Sequence, residues 1–339
     1  LQKLVRETKP DEIIICWDGE GGSQKRKSKN KAYKEGRKPI RLNRDIRNLS
    51  ENEELANKIW QQTRVMEYLN ELPIIQLWLT AVEADDIISV VAQHPLYSGW
   101  QKVIVSSDKD FFQLCDNETV VFRPIQKEVL NQKALVEQYG IHPKNFALAR
   151  AVAGDKSDNL RGVGGVGLPT VSKRFPFLAE DMSFNIDNLI IHAEENKGTV
   201  KAYDSVIEHQ DLIRENYRLM QLYTPSLSVQ GRKKIDYVLE NFEPELAKTN
   251  AKAMMIEDGF GVVNFTDLFA TIYNMQLFRE WANTFTESES VAPTAEMLVA
   301  NLKKFLLEDV DPESVDLSSF EVHDKLDQDF WNQPDDNLD

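Results

Sequence analysis

Three short apolar runs in the first third of the chain each lead straight into acidic residues, and that pairing leaves few folds open. Asp11 to Asp18 reads DEIIICWD and ends on Asp18. Pro73 to Leu79, PIIQLWL, is followed by VEADDIISVVAQ, which supplies Glu83, Asp85 and Asp86. Lys102 to Ser106, KVIVS, runs into SDKDFFQL with Asp108 and Asp110. Runs of this length and composition are read as buried parallel strands, and open α/β sheets bind ligands beyond the carboxyl ends of their strands. Between the runs the pattern is helical. Ser50 to Leu72 opens with Ser50 and Glu53 in capping-box spacing and carries Leu55, Ile59, Val65, Met66 and Leu69 on its expected apolar side. Ile87, Ile88, Val90 and Val91 mark a buried helix after the second run, and Phe111, Phe112 and Leu114 one after the third. Two further strands, Val120 to Arg123 and Glu128 to Leu130, flank a turn at Pro124. From Asn131 onward the pattern is helical almost throughout, with segments at Gln132 to Tyr139, Asn145 to Ala153, Phe184 to Asn196, Val200 to His209, Leu212 to Leu222 and Phe265 to Trp281. The fold class is therefore α/β, a parallel-sheet core with a helical subdomain packed on it.

A fourth acidic block stands apart from the strands. Ala151 to Lys173, AVAGDKSDNLRGVGGVGLPTVSK, places Asp155 and Asp158 ahead of Gly162, Gly164, Gly165 and Gly167, and then a helix-forming stretch with Lys173 and Arg174. A glycine-rich turn between helices is common as pure structure. Gly162, Gly164 and Gly167 also satisfy the dinucleotide fingerprint, but that fingerprint needs a strand directly before it. GDKSDNLR is polar and charged, so a nicotinamide site is excluded.

Charge is unevenly placed. The formal net charge is -15, yet Lys25 to Arg44 holds ten basic residues and one acid, Glu35. Glu287 to Asp339 holds fifteen acids and three lysines, a balance of -12, which leaves -15 + 12 = -3 for everything before it. The basic run reads by composition as a solvated or disordered face, and the acidic tail is too poor in periodic apolar residues to fold alone. No apolar run approaches the roughly 20 residues that span a bilayer. The two cysteines, Cys16 and Cys115, form no C-x-x-C, and the five histidines show no ligand spacing.

Eight acids, Asp18, Glu83, Asp85, Asp86, Asp108, Asp110, Asp155 and Asp158, thus fall at four places in the chain, three of them tied to strand ends. Brought to one rim they would raise each other's pKa, and divalent cations relieve that repulsion. Oxygen-only ligands suit Mg²⁺ or Mn²⁺, and two such ions about 3.5 to 4 Å apart activate a water and stabilise the leaving oxygen of a phosphodiester.

VEADD, SSDKDF and GDKSDN followed by the glycine hairpin resemble the successive signature blocks of the flap endonuclease and 5'-3' exonuclease superfamily, most like the 5'-nucleases of bacteriophages, including the phage ribonuclease H branch. The resemblance covers roughly Glu12 to Phe175. It implies a PIN-like nuclease core, two Mg²⁺ or Mn²⁺ ions, and hydrolysis of DNA or RNA from a 5' end or flap. By position, Glu83, Asp85 and Asp108 resemble ligands of a first metal and Asp110, Asp155 and Asp158 those of a second, with Asp18 and Asp86 assisting through water. The basic segment, about 22–48, resembles the family's helical arch, in which Lys34 after Tyr33 and then Arg37 meet phosphate, with Lys25, Arg26 and Lys27 as further DNA contacts. The glycine hairpin, about 150–176, resembles the helix-three-turn-helix, a motif that often holds a K⁺ and whose amides, with Lys173 and Arg174, grip duplex phosphates.

The implied organisation is a nuclease core over 1–140, a helical subdomain over 141–287 and an acidic tail over 288–339. The implied activity is that of a structure-specific 5'-nuclease acting on branched or nicked DNA and RNA–DNA hybrids, for instance in removing RNA primers or 5' flaps. A non-catalytic DNA-structure binder on the same scaffold is the alternative. The family carries an aspartate on a strand before the block matched by Asp18, so the chain is expected to be an N-terminal truncation with weak or no activity. Leu317, Phe320, Phe330 and Trp331 are the few apolar points of the tail, which is either an inert solubilising segment or docks on a sliding clamp or single-strand-binding protein through Phe320, Phe330 or Trp331. The expected setting is a monomer in the cytoplasm, that of the host cell if the chain is phage-encoded, with no membrane partner.

Overall fold

The computed structural model describes residues 1–35, 50–225, 227–260 and 263–273. It begins with helix α1 (Gln2–Thr8), strand β1 (Ile14–Cys16) and helix α2 (Gln24–Lys29). Then follow α3 (Glu51–Asn70), β2 (Ile75–Leu77), α4 (Ala84–Ala92), β3 (Lys102–Val105), β4 (Thr119–Arg123) and β5 (Glu128–Leu130). The rest is helical: α5 (Gln132–Tyr139), α6 (Pro143–Ala153), α7 (Leu168–Arg174), α8 (Ile186–Glu195), α9 (Lys201–Glu208), α10 (Gln210–Met220), α11 (Val229–Glu240) and α12 (Lys248–Glu257). Residues 265–273 are helical too. The described residues divide into two compact units, one of residues 1–22, 50–84 and 227 onward, the other of 23–35 and 85–225.

In the first unit β1 and β2 pair parallel, Ile14 beside Ile75 and Cys16 beside Leu77. Leu69, Leu72 and Ile74 form a buried cluster against Ile13, Ile15, Trp17 and Leu246. Helix α3 begins as the sequence dictates, with the Ser50 side chain accepting from the Glu53 N–H and Glu53 answering at the Ser50 backbone. Its expected apolar side is corrected. Leu55, Ile59 and Val65 are exposed, and only Leu69 is buried. The side turned inward is polar: Arg64 Nη2 lies 3.2 Å from Asp258 Oδ1, Arg64 Nε 2.5 Å from Asp258 Oδ2, and the Tyr68 hydroxyl also bonds Asp258. This ion-paired contact ties α3 to the end of α12, beside the buried Leu69.

The second unit holds the three-stranded order β3-β4-β5. β3 and β4 pair parallel across an intervening crossover, whereas β5 returns antiparallel through the short turn at Pro124, as so brief a connection requires. The strands thus form two sheets among the described residues, one in each unit. The helix expected after Asp108 is a short 3₁₀ helix, Lys109–Leu114. Its residues Phe111 to Leu114 are all buried, and Gln113 Nε2 donates to the Asp110 carbonyl at 2.7 Å. The core of this unit runs from Phe112 and Phe146 through Leu148, Val171 and Phe175 to Leu189 and Ile213. Helix α5 is bounded by an Asn131 cap and by Gly140 at φ 63, the glycine stop that its sequence announces. The helix pattern beyond 273 and the acidic tail lie outside the described residues.

Candidate metal centre and nucleic-acid interface

Two local devices bring three acids of the second unit together. Asp108 caps the 3₁₀ turn, its Oδ1 accepting from the Asp110 N–H at 2.9 Å, and the buried phenylalanines that follow hold Asp110 in place. Helix α6 ends at Gly154, whose φ of 76 turns the chain back on itself. A Cβ there would lie 2.2 Å from the Gly162 nitrogen, so only glycine fits. The loop then closes as a two-residue bridge, Asp155 N–H to the Leu160 carbonyl at 2.9 Å and Leu160 N–H to the Asp155 carbonyl at 2.7 Å. As a result one carboxylate oxygen from each of Asp110, Asp155 and Asp158 lies within 4.8 Å of the others. An all-oxygen set at that spacing suits a hard divalent cation.

Arg150, which the sequence reading did not single out, threads this cluster from α6. Its Nε and Nη2 lie 3.1 and 3.0 Å from Asp110 Oδ1, and Nη2 also bonds Asp155 Oδ2. Burial pushes the Asp110 carboxyl up to about 7, helped by Asp108 and Asp155 and opposed by Arg150. Burial opposes ionisation at Asp155 too, but Arg150 and the Ser157 hydroxyl and N–H, each 2.7 Å from Oδ1, hold that carboxylate below the ordinary range. Ser107, Asp108, Lys109, Arg150, Asp155 and Ser157 line a cleft beside the cluster.

Asp85 and Asp86 stand in the first turn of α4. Asp86 Oδ1 lies 3.1 Å from Arg26 Nη2, and Arg26 Nε donates to the Leu219 carbonyl at 3.1 Å. Burial works against the Arg26 charge, but Asp86 first, then Asp85 and Asp110, hold the guanidinium above its ordinary pKa. The basic stretch is therefore anchored at this end. Tyr33 is buried against Leu160, Leu219 and Met220, the Lys34 N–H donates to the Asp158 carbonyl at 2.9 Å, and Asn159 Nδ2 donates to the Ala32 carbonyl at 2.9 Å. Burial raises the Tyr33 hydroxyl well above its usual pKa, with Asp158 and Asp85 adding to the rise and Arg26 opposing it. The Lys34 ammonium sits 5.0 Å from the Tyr33 ring centre. Lys25 and Lys27 are exposed, and Arg37 lies outside the described residues.

Asp18 and Glu83 belong to the first unit. Asp18 Oδ1 accepts from the Ala84 N–H at 2.8 Å, and Glu83 is buried. Gly19 permits this closeness: a Cβ on it would fall 1.7 Å from the Leu79 carbonyl oxygen.

The glycine segment is preceded by α6 rather than by a strand, so the dinucleotide reading stays excluded. Gly162 is wedged against the Ala153 carbonyl, 2.1 Å from where its Cβ would be, whereas Gly164 and Gly165 face open space. Gly167 precedes α7, which carries exposed Lys173 and half-buried Arg174. The last turn of α7 is tied down where the Arg174 carbonyl accepts from the Tyr203 hydroxyl at 3.0 Å.

Residues 1–140 match the family described as 5'-3' exonuclease, N-terminal resolvase-like domain. The flap endonuclease Xni of Shewanella sp. (strain MR-4) is 29% identical over 222 residues, covering 66% of this chain and 76% of the relative. The 5'-3' exonuclease of Buchnera aphidicola subsp. Schizaphis graminum (strain Sg) is 33% identical over 184 residues, 54% of this chain and 57% of the relative. Among solved structures, the T5 D15 protein co-crystallised with metal ions aligns with a TM-score of 0.56 at 18% identity, over 71% of this chain and 88% of that one. T5 5'-exonuclease with bound zinc ions aligns equally well, TM-score 0.56, at 20% identity over 71% of this chain and 88% of that one. These two similarities establish the fold. Over its first 140 residues the chain is thus similar to the 5'-3' exonuclease N-terminal resolvase-like domain, and over 222 residues to a flap endonuclease.

Proposed function

We propose that this protein is a divalent-metal-dependent, structure-specific 5'-nuclease that hydrolyses phosphodiesters in branched or nicked DNA. The observation that carries the reading is the convergence of Asp110, Asp155 and Asp158 oxygens within 4.8 Å, next to a basic segment pinned to the same loop. Bound there, a divalent cation supplies Lewis acidity and a counter-charge for the attacked phosphate. Asp110, Asp155 and Asp158 hold one cation; Asp85 and Asp108 are the ligands we assign to a second, with Asp86 ordering water around it. Lys34 and Arg37 hold the phosphate being cut, while Lys25 and Lys27 guide the strand that leads to it; Tyr33, expected as a DNA contact, is instead buried and packs the segment down.

The resident ion in this reading is Mg²⁺, and the glycine loop around Gly164 and Gly165, followed by Lys173 and Arg174, grips duplex phosphate and holds a K⁺. RNA primers and 5' flaps are the proposed substrates. The proposed organisation is a nuclease core over 1–140, a helical subdomain over 141–287 with the helix-three-turn-helix near 150–176, and a tail over 288–339 that docks on a clamp or single-strand-binding protein. No helix among the described residues is long and apolar enough to cross a membrane. The proposed setting is a monomer in the cytoplasm.

A 5'-labelled flap, a nick and an RNA-primed duplex, each incubated with Mg²⁺ or Mn²⁺, test the reading. Cleavage near the branch point is expected, lost on adding EDTA and reduced by about 100-fold or more in Asp155→Asn, since loss of one charge-stabilising group typically costs that much. Product formation that is indifferent to EDTA and to Asp155→Asn would contradict it.

A further inference from the structure

Arg150 lies near the end of α6, among Phe146, Leu148, Ala149, Ala151 and Val152, all buried, and is itself only 8% exposed. A permanently charged guanidinium in such surroundings is stable only when fully paired. Its partners come from separate elements: Asp110 from the 3₁₀ turn and Asp155 from the loop after Gly154. It takes Oδ1 of Asp110 and Oδ2 of Asp155, while Ser157 occupies Asp155 Oδ1. Asp110 Oδ2 receives no hydrogen bond from a described residue and stays available to a cation.

Three carboxylates whose oxygens lie within 4.8 Å of one another repel, and without a counter-charge they would swing apart or take up protons. Arginine suits the counter-charge role better than lysine, because its planar fork reaches two acids at once where an ammonium is a single point. We propose that Arg150 is a positioning residue of the carboxylate cluster: it bridges Asp110 and Asp155 so that the site is already built before a divalent cation arrives. The cation, once bound, takes over part of that neutralisation. This inference rests on the metal-dependent reading above.

Thermal unfolding of the wild type, Arg150→Gln and Arg150→Lys in EDTA and in saturating MgCl₂ tests it. In EDTA, Arg150→Gln is expected to unfold about 5–10 °C below the wild type, the scale of a broken buried ion pair in a chain of this size. Mg²⁺ is expected to recover most of that loss, so its stabilising shift is larger in Arg150→Gln than in the wild type. Arg150→Lys should fall between, keeping the charge but not the fork. An equal loss with and without Mg²⁺ would overturn the proposal and leave Arg150 as ordinary packing, and so would no loss in either buffer. If Arg150→Gln does not fold in either buffer, Arg150→Lys decides by the same criterion: a loss that Mg²⁺ diminishes supports the role, one it leaves unchanged refutes it. A wild type that shows no Mg²⁺ shift defeats the metal reading itself. A wild type that shifts, with Arg150→Gln shifting identically, defeats only the role of Arg150.

Discussion

Asp110 is where the chemistry of the cluster can be read from a single group. Its carboxyl titrates near 7 because burial dominates, with Asp108 and Asp155 adding to the rise and Arg150 offsetting part of it. A carboxyl raised above its unfolded value of about 3.9 binds its proton in the folded state while the unfolded chain stays ionised. In the metal-free protein its contribution therefore favours folding progressively as pH falls from about 7 toward about 4, and is unchanging outside that window. The difference in melting temperature between wild type and Asp110→Asn in EDTA should accordingly narrow as pH is lowered through this range; a difference that is flat or widens would contradict it. Asp155 works at the other end, since its depressed carboxyl loses its stabilising effect only as pH drops below the ordinary carboxylate range. The acids themselves were legible in sequence because each follows a strand, opens a helix or precedes a glycine turn. Arg150 was not, because what it does depends on Asp110, 40 residues away, and no local pattern encodes such a partner.

Among the elements, the basic stretch shows the widest gap between composition and structure. Charge density alone reads as a solvated, unstructured run, yet residues 24–29 form α2 and the following turn is fastened by one buried aromatic. Tyr33 against Leu160, Leu219 and Met220 supplies the apolar contact that the lysines cannot. Trypsin digestion of the metal-free protein should cut between Lys25 and Lys34 about tenfold faster in Tyr33→Ala, because local opening governs cleavage when reclosing is fast. Tyr33→Phe, which keeps the ring in its pocket, should stay close to the wild type. Equal rates for Tyr33→Ala and wild type would mean that the ring does not hold the segment. Elements with terminal signals were read well: α5 between Asn131 and Gly140, and the capping box of α3. The inward side of α3 was misread because Arg64 and Tyr68, bound to Asp258, outweigh the apolar stripe of Leu55, Ile59 and Val65, and an ion-paired contact between distant helices leaves no periodicity behind.

For the whole molecule, bulk charge is a poor guide to the partner. The net charge of -15 would argue against nucleic acid, but -12 of it resides in Glu287 to Asp339, and eight of the remaining acids are the metal-ligand candidates of the sequence. Neutralising those eight turns the balance of -3 before Glu287 into -3 + 8 = +5, the sign a DNA-binding surface needs. The account therefore stands on cation binding at the convergent acids. Anomalous diffraction from crystals soaked in Mn²⁺ tests that most directly. A peak within coordination distance of Asp110, Asp155 and Asp158, abolished in Asp155→Asn, is the predicted result; a map with no peak at these carboxylates under saturating Mn²⁺ would contradict it.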